Sequence, residues 1–367
     1  MSSLVRSVAA SCLFAPLSLA GQSPDSSAHG ASTTISGYLT TSYTAATRNV
    51  GGVIVGRLYG RNQDQFMVNV ADIVFERVAA TDRWDAGVHL EPTFGTDAAV
   101  VKSAGLDLGA DADIWQAYVT LNLPYSKRSY FQVKAGKMAT LMGVEAFQDV
   151  QNPTLEVGNQ DIFLEPFTET GAELDGKFGA KLDAELRISN GWDLVVDDNR
   201  AKSFTLRLGI APDAATTIAL TGYTGPEQAG NTDHARRGAD LVASRQFGSV
   251  TAWLQLDYGQ EADAAATGDN ARWSAIGAWL RANLSPKSAL GFRADYLDDR
   301  DGARTSGVLG FPVNRGQTLT SLTGTLTLKY WPRALVRPEV RYDRSTLPVF
   351  DGHTDQLSLA VGFSVLF

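Results

Sequence analysis

The chain is 367 residues long, 44 % apolar and 20 % charged, with a net charge of -8. An acidic balance argues against a nucleic-acid binder, and the absence of any eighteen-residue apolar run excludes a helical membrane bundle. The single cysteine, Cys12, rules out a disulfide framework, so stability must come from a sheet or a core.

The first residues read as an export signal. Arg6 supplies a positive start, 8–19 is moderately apolar, and Ser18-Leu19-Ala20 is a small-x-small cleavage site before Gly21. Residues 1–20 are therefore expected to be a signal peptide, removed together with Cys12. Ala9-Ala10-Ser11-Cys12 faintly suggests a lipoprotein box, but too little apolar sequence precedes it. Residues 21–32 are small, polar and Ser-rich, as expected of a flexible periplasmic leader.

From Thr33 onward the pattern is alternation. Sixteen segments begin near Thr33, Phe66, Arg83, Ala112, Ser129, Pro166, Lys181, Lys202, Ala215, Arg237, Ser249, Arg272, Lys287, Gln317, Arg333 and Gln356. Fourteen or eighteen would result if segments such as 166–177 were divided differently. Leu182, Ala184, Leu186 and Ile188 interleave with Asp183, Glu185 and Arg187. Leu290, Phe292, Ala294 and Tyr296 interleave with Arg293 and Asp295. The joints obey a second rule: those after even-numbered segments are tight (79–82, 124–128, 212–214, 246–248, 285–286, 331–332). Those after odd-numbered segments are long (46–65, 95–111, 138–165, 191–201, 259–271, 298–316). A soluble sandwich has no reason to sort its loops by parity, whereas a transmembrane antiparallel up-and-down β-barrel does, with short periplasmic turns and long extracellular loops. Residues 33–367 are expected to form that barrel. Tyr125, Tyr330 and Trp331 sit at the short turns and Tyr258, Tyr296 and Tyr342 towards the long loops, where interface girdles belong. The chain stops on Phe367 after a cleanly alternating strand. This resembles the closing strand of bacterial outer-membrane barrels, in which a C-terminal Phe belongs to the signal read by the insertion machinery.

Charged residues in phase with each other identify the wet face, since they would be costly against lipid. Lys134, Arg187, Arg207, Arg281, Arg293, Lys329, Arg337 and Arg341 are balanced by Asp72, Glu76, Asp183, Glu185, Asp257, Asp295, Glu339 and Asp343. A sixteen-stranded wall is too wide for its own side chains to fill, so a water-filled channel is expected. The longest joint, 138–165, carries Glu145, Asp149, Glu156, Asp161 and Glu165 with no Lys or Arg. It also carries the apolar Leu141, Met142, Val144, Phe147 and Phe163. It is expected to fold inward as a constriction, its acids (Glu145, Asp149, Asp161 foremost) facing basic wall residues among Arg207, Arg293, Arg337 and Arg341. That arrangement implies a weak cation lean and a transverse field favouring polar solutes. The alternative is a solvated outer loop.

The same region carries a family resemblance. Val133-Lys134-Ala135-Gly136-Lys137-Met138-Ala139-Thr140-Leu141-Met142-Gly143-Val144-Glu145, followed by Gln151-Asn152-Pro153, resembles a block of the OmpL-like β-barrel porins of the porin-2 group. So do Asn190-Gly191-Trp192-Asp193 with Asp198-Asn199 and Lys202-Ser203, and, upstream, Asn69-Val70-Ala71-Asp72 and Gln116-Ala117-Tyr118. Met138 stands where the block usually has Phe, and Thr154-Leu155-Glu156 replaces a Ser-rich stretch. The resemblance spans most of 60–215 and implies a Gram-negative outer-membrane porin of poorly defined substrate range, with no solute assigned. Porins of this size are usually homotrimers, and Ala278 and Ala282 on the lipid face of the twelfth strand would permit flat packing between protomers.

Other functions fit less well. His29, His89, His234 and His353 are the only histidines, and none is paired with an evident nucleophile, so no enzyme is expected. No cofactor or metal site is implied; Asp298-Asp299-Arg300-Asp301-Gly302 lacks the spacing of a calcium loop. An adhesive barrel would need larger, aromatic-rich loops, and an energy-coupled transporter would need a plug domain. A carbohydrate-selective porin stays open, because Trp253, Trp273 and Trp279 can face inward on adjacent strands and stack on sugar rings. The expected function is passive diffusion of small hydrophilic solutes and ions through an outer membrane.

Overall fold

The computed structural model describes residues 33–126 and 129–367; the expected signal peptide and leader lie outside them. Sixteen strands follow in order: β1 Thr33–Ala46, β2 Gln65–Arg77, β3 Asp85–Phe94, β4 Ala112–Ser126, β5 Ser129–Ala139, β6 Thr168–Phe178, β7 Leu182–Trp192 and β8 Ser203–Asp213. The second half continues with β9 Thr216–Pro226, β10 Ala235–Phe247, β11 Val250–Glu261, β12 Ala271–Ser285, β13 Ser288–Asp299, β14 Gln317–Trp331, β15 Ala334–Ser345 and β16 Asp355–Leu366. Each is antiparallel to its neighbours, and β1 closes on β16 from Tyr38↔Leu366 to Ala46↔Ser358. Closure leaves no edge with unpaired backbone groups, which hydrocarbon could not satisfy.

Alternation decides which way each strand faces. On β7, Leu186 is 50 % exposed on the outer surface while its neighbour Arg187 is 2 % exposed inside. The outer band is apolar on every side, with Leu206, Leu208, Leu220, Leu254, Ile276, Leu280, Phe292, Leu322, Val340 and Phe363 all exposed. Exposed Tyr125, Tyr330 and Trp331 ring the short-turn rim, and Tyr258 and Tyr296 the opposite one. Pro92, which cannot donate to the ladder, sits at a register shift between β3 and β4.

The two rims differ as the joint lengths imply. At one rim the strands are joined by tight turns such as 214–215, 248–249, 286–287 and 332–333; at the other the connections include 47–64, 95–111, 140–167 and 300–316. The lumen is not left empty by its wide wall. Residues from five long connections descend into it, and their apolar side chains form the core of the molecule inside the barrel. Val55, Leu58, Tyr59, Phe147, Val157, Ile162, Phe163, Leu164, Phe311 and Phe350 pack there against Tyr38, Trp115, Trp273 and Leu319 of the wall.

Two glycines mark where the wall gives way to the inward segment. Gly136 on β5 has φ +140°, and a Cβ there would lie 2.1 Å from the Ala117 carbonyl oxygen and 2.7 Å from Tyr118 Cα. Its partner across the β5–β6 pair, Gly171, lies beside a register shift, and a Cβ on it would lie 1.9 Å from the Ile188 carbonyl oxygen. Only glycine permits both the backbone angle and the approach at Gly136. Gly136→Val should therefore cost about 1–3 kcal/mol or more of stability, seen as a lower urea midpoint for the barrel in lipid vesicles. An unchanged midpoint would show that the strand relaxes around the side chain.

Candidate functional site

The site is built from the inward connection 140–167 and the wall it lies against. That connection contains a 3-10 turn, Asp149–Gln151, and a short helix, Asn159–Phe163, and almost every residue from Asn152 to Pro166 is buried. Its backbone would be left with unpaired groups if it were merely packed against apolar surface, so polar wall residues must meet it.

Arginines on β13 and β15 do so. Arg293 is fully buried; its Nη1 lies 2.9 Å from Glu145 Oε1 and donates to Thr154 Oγ1 at 3.0 Å, while Nε reaches Asp295 at 3.0 Å. Glu145 is held from both sides, since Gly158 N–H donates to its Oε2 at 2.6 Å. Arg337 donates to the carbonyls of Asp149 (2.6 Å) and Asn152 (3.0 Å), with the Asp149 carboxylate 3.5 Å away. Thr40 of β1 donates to that carboxylate at 3.1 Å. Arg341 donates to the Val157 carbonyl at 2.9 Å and pairs with Asp343 at 2.7 Å. From the 47–64 connection, buried Arg57 approaches Glu156 at 3.5 Å and Glu339 at 3.8 Å. Glu339 in turn accepts from the backbone N–H of Leu155 at 2.7 Å.

Glutamines anchor the opposite flank. Val144 N–H donates to Gln255 Oε1 at 3.1 Å, Gln255 Nε2 donates to Glu165 at 2.7 Å, and Gln160 Nε2 donates to Asp257 at 2.5 Å. The Thr221 hydroxyl donates to the Leu141 carbonyl at 3.1 Å.

Of the residues singled out from sequence, Glu145 meets Arg293 and Asp149 meets Arg337, while Arg341 meets a carbonyl of the segment rather than an acid. Asp161 is buried within range of the charges of Glu145 and Arg293 but makes no ion pair among the described residues. Arg207 and Lys134 stay on the wall. Arg207 pairs with Asp183 (2.6 Å) and Glu185 (2.8 Å), and Lys134 with Glu173 (2.7 Å). Arg57 and Gln255 were not foreseen, and Glu339, expected on the wet face, was not expected to hold the segment's backbone. A signal for Arg57 was present: it sits between Val53-Ile54-Val55 and Leu58-Tyr59, an apolar content that a solvated loop does not need.

At the long-loop mouth, Arg304 lies over the rings of Trp192 (5.4 Å) and Trp273 (5.5 Å), and Arg236 over Trp192 (4.7 Å). Burial first, and then the neighbouring charge of Arg236, lowers the pKa of Arg304 to about 10. Trp273 is thus covered, and Trp279, 1 % exposed, lies over Gly277 beside Gln160. Trp253 alone of the three faces open space. It lines a cavity of about 430 Å³ between the short-turn side of the inward segment and β8–β12, together with Arg207, Asp240, Thr251, Arg281 and Asn283. His89 is stacked on Tyr118 and bridges Glu76 (3.4 Å) and Glu91 (3.0 Å).

A closed antiparallel sixteen-stranded wall with an apolar exterior, a charged interior and a long connection seated in the lumen is the architecture of an outer-membrane porin. The family described as "Putative beta-barrel porin-2, OmpL-like" matches residues 32–367, and the chain belongs to it. Solved structures with the same fold include the anion-selective porin from Comamonas acidovorans (TM-score 0.62, 11 % identity, covering 92 % of this chain and 99 % of that one). The outer-membrane channel DcaP of Acinetobacter baumannii is similar to the same degree (TM-score 0.62, 10 % identity, 91 % and 97 % covered). The trimer form of OmpT of Vibrio cholerae follows (TM-score 0.55, 10 % identity, 92 % and 99 %). No curated protein matches the chain in sequence. The protein resides in the Gram-negative outer membrane.

The arginine ladder has an energetic consequence. Arg293→Gln leaves Glu145 and Asp295 buried without their cation, and should lower stability by about 3–5 kcal/mol. Adding Glu145→Gln should recover part of the loss, because it removes the stranded charge. Urea unfolding of the two variants in vesicles checks this; equal losses would mean that the pair is solvated.

Proposed function

We propose that the protein is a passive diffusion channel for small hydrophilic solutes and ions, narrowed by residues 140–167. The observation that carries this reading is the seat of that segment on the arginines of β13 and β15, which leaves open space on the β8–β12 side of the lumen. No group with a nucleophile or a covalent step is required, which fits the channel family and fold.

The ion preference follows from the charges that remain free. A cation lean would require charged, unpaired acids at the narrowing, yet Glu145, Asp149 and Glu156 each face an arginine. Burial, and then the neighbouring Glu145, raises the pKa of the unpaired Asp161 to about 8, and burial likewise pushes that of Glu165 up, which leaves both largely neutral. Arg281 and Lys329, by contrast, have no partner among the described residues. We therefore infer a weak preference for anions. OmpT of Vibrio cholerae has a trimer form, and the flat stretch at Ala278 and Ala282 would suit a homotrimer here too.

Planar-bilayer recording of the refolded chain tests the reading. Discrete open steps with a reversal potential displaced towards that of the anion are expected in a salt gradient. Replacing Glu145, Asp149 and Asp161 by Gln or Asn should shift the potential further the same way, by releasing Arg293 and Arg337. Absence of any conductance from folded barrel would reject the channel.

A further inference from the structure

We propose that the short-turn half of the lumen holds a subsite for a carboxylated sugar, with Arg281 taking the carboxylate and Trp253 the face of the ring. The proposal rests on the channel reading and names the class of solute it would select.

The first observation is an unmatched cation. The other lumenal arginines considered above are engaged: Arg293, Arg337 and Arg341 by the inward segment, Arg207 by Asp183 and Glu185, Arg187 by Glu169 and Glu173. Arg281 is half-buried, has no hydrogen-bond or ion-pair partner among the described residues, and lines the cavity. Lys329 is close enough to feel its charge and is likewise unpaired, so the two reinforce each other instead of cancelling. A partly desolvated, unpaired guanidinium is costly unless an anion completes it, and its planar fork suits a carboxylate.

The second observation is what stands beside it. Thr251 is the direct partner of Arg281 across β11–β12 and Trp253 that of Trp279, so Trp253 is the diagonal neighbour of Arg281. Such neighbours are roughly 7–8 Å apart, a spacing that a pyranose bearing a carboxylate spans. The indole offers an apolar face for the C–H side of the sugar, while Thr251, Gln246 and Asn283 supply donors and acceptors for hydroxyls. The cavity is enclosed on its inner side by Asn152 and Pro153 of the inward segment.

The third observation is the absence of competition. Among the cavity's lining residues the carboxylate is Asp240, whose row runs through Asp257 to Ala275. Arg281 lies six residues further along β12, roughly 20 Å away. An incoming carboxylate therefore meets positive charge without a flanking acid. A neutral sugar would leave Arg281 unmatched, and a simple anion would make no use of Trp253.

Calorimetric titration of D-glucuronate into the refolded, detergent-solubilised barrel tests this, with D-glucose and acetate as comparators. Glucuronate should bind at least tenfold more tightly than either. Arg281→Gln should reduce its affinity to that of glucose, and Trp253→Ala to that of acetate, each with the strand content of the parent. If Arg281→Gln fails to fold, Arg281→Lys, which keeps the charge but not the fork, should still weaken glucuronate severalfold. Glucuronate no tighter than acetate, or unaffected by both substitutions, would overturn the proposal. Bilayer recording on the same preparation separates the two ideas. Glucuronate binding without conductance would keep the subsite and remove the channel, and conductance without glucuronate binding would do the reverse.

Discussion

The arrangement of this protein depends on buried arginine. A chain segment drawn into the interior of a wide barrel brings backbone carbonyls, amides and carboxylates that must be matched away from bulk water. Arg293, Arg337 and Arg341 meet that demand by giving each guanidinium both a carbonyl of the inward segment and a carboxylate. The rigid fork of donors allows one side chain to do both, which a lysine in the same place would not. The acids of the segment are thus structural counterions. Their charge is largely spent on holding the segment, and the field that a solute meets is set by what is left over.

What is left over is asymmetric. One side of the lumen is filled by an apolar core in which Val55, Tyr59, Phe147, Phe163, Phe311 and Phe350 meet, drawn from connections far apart in the chain. The side formed by β8–β12 keeps the cavity, with Trp253 and Arg281 on its wall. A porin-class wall thereby acquires a dry half that fixes the inward segment and a wet half that can carry a solute. The barrel supplies closure, and the loops supply the interior.

Much of the wall is legible in the residues, because lipid outside and water inside impose a period of two on every strand. All sixteen expected starts fall within two residues of the observed ones; Phe66 against Gln65, Arg83 against Asp85 and Arg237 against Ala235 are typical. The parity of the joints was equally readable, since it needs only lengths. The interior was less so. Glu145 with Arg293 and Asp149 with Arg337 follow from opposite charge and a shared lumen. The choice of Arg57 for Glu156 depends on where the connections settle in three dimensions, and that of Asp183 and Glu185 for Arg207 on the register of β7 against β8. No periodicity encodes that. Similarly, phase puts Trp273 and Trp279 inside with Trp253, but only the positions of Arg304 and Gln160 reveal that those two are covered.

Whether residues 140–167 lie on the inner wall can be read from a cysteine pair. Leu155 of the segment rests on Gly362 of β16, where a Cβ would lie 3.5 Å from Leu155 Cγ, close to the spacing a disulfide needs. In protein produced without its first twenty residues, and so without Cys12, Leu155→Cys with Gly362→Cys would be the only thiols. Rapid oxidation of the pair is expected in folded barrel, seen as loss of both thiols to a maleimide reagent and an altered mobility reversed by reductant. Two free thiols that react readily with the reagent and never cross-link would contradict the inner-wall position and place the segment outside the lumen.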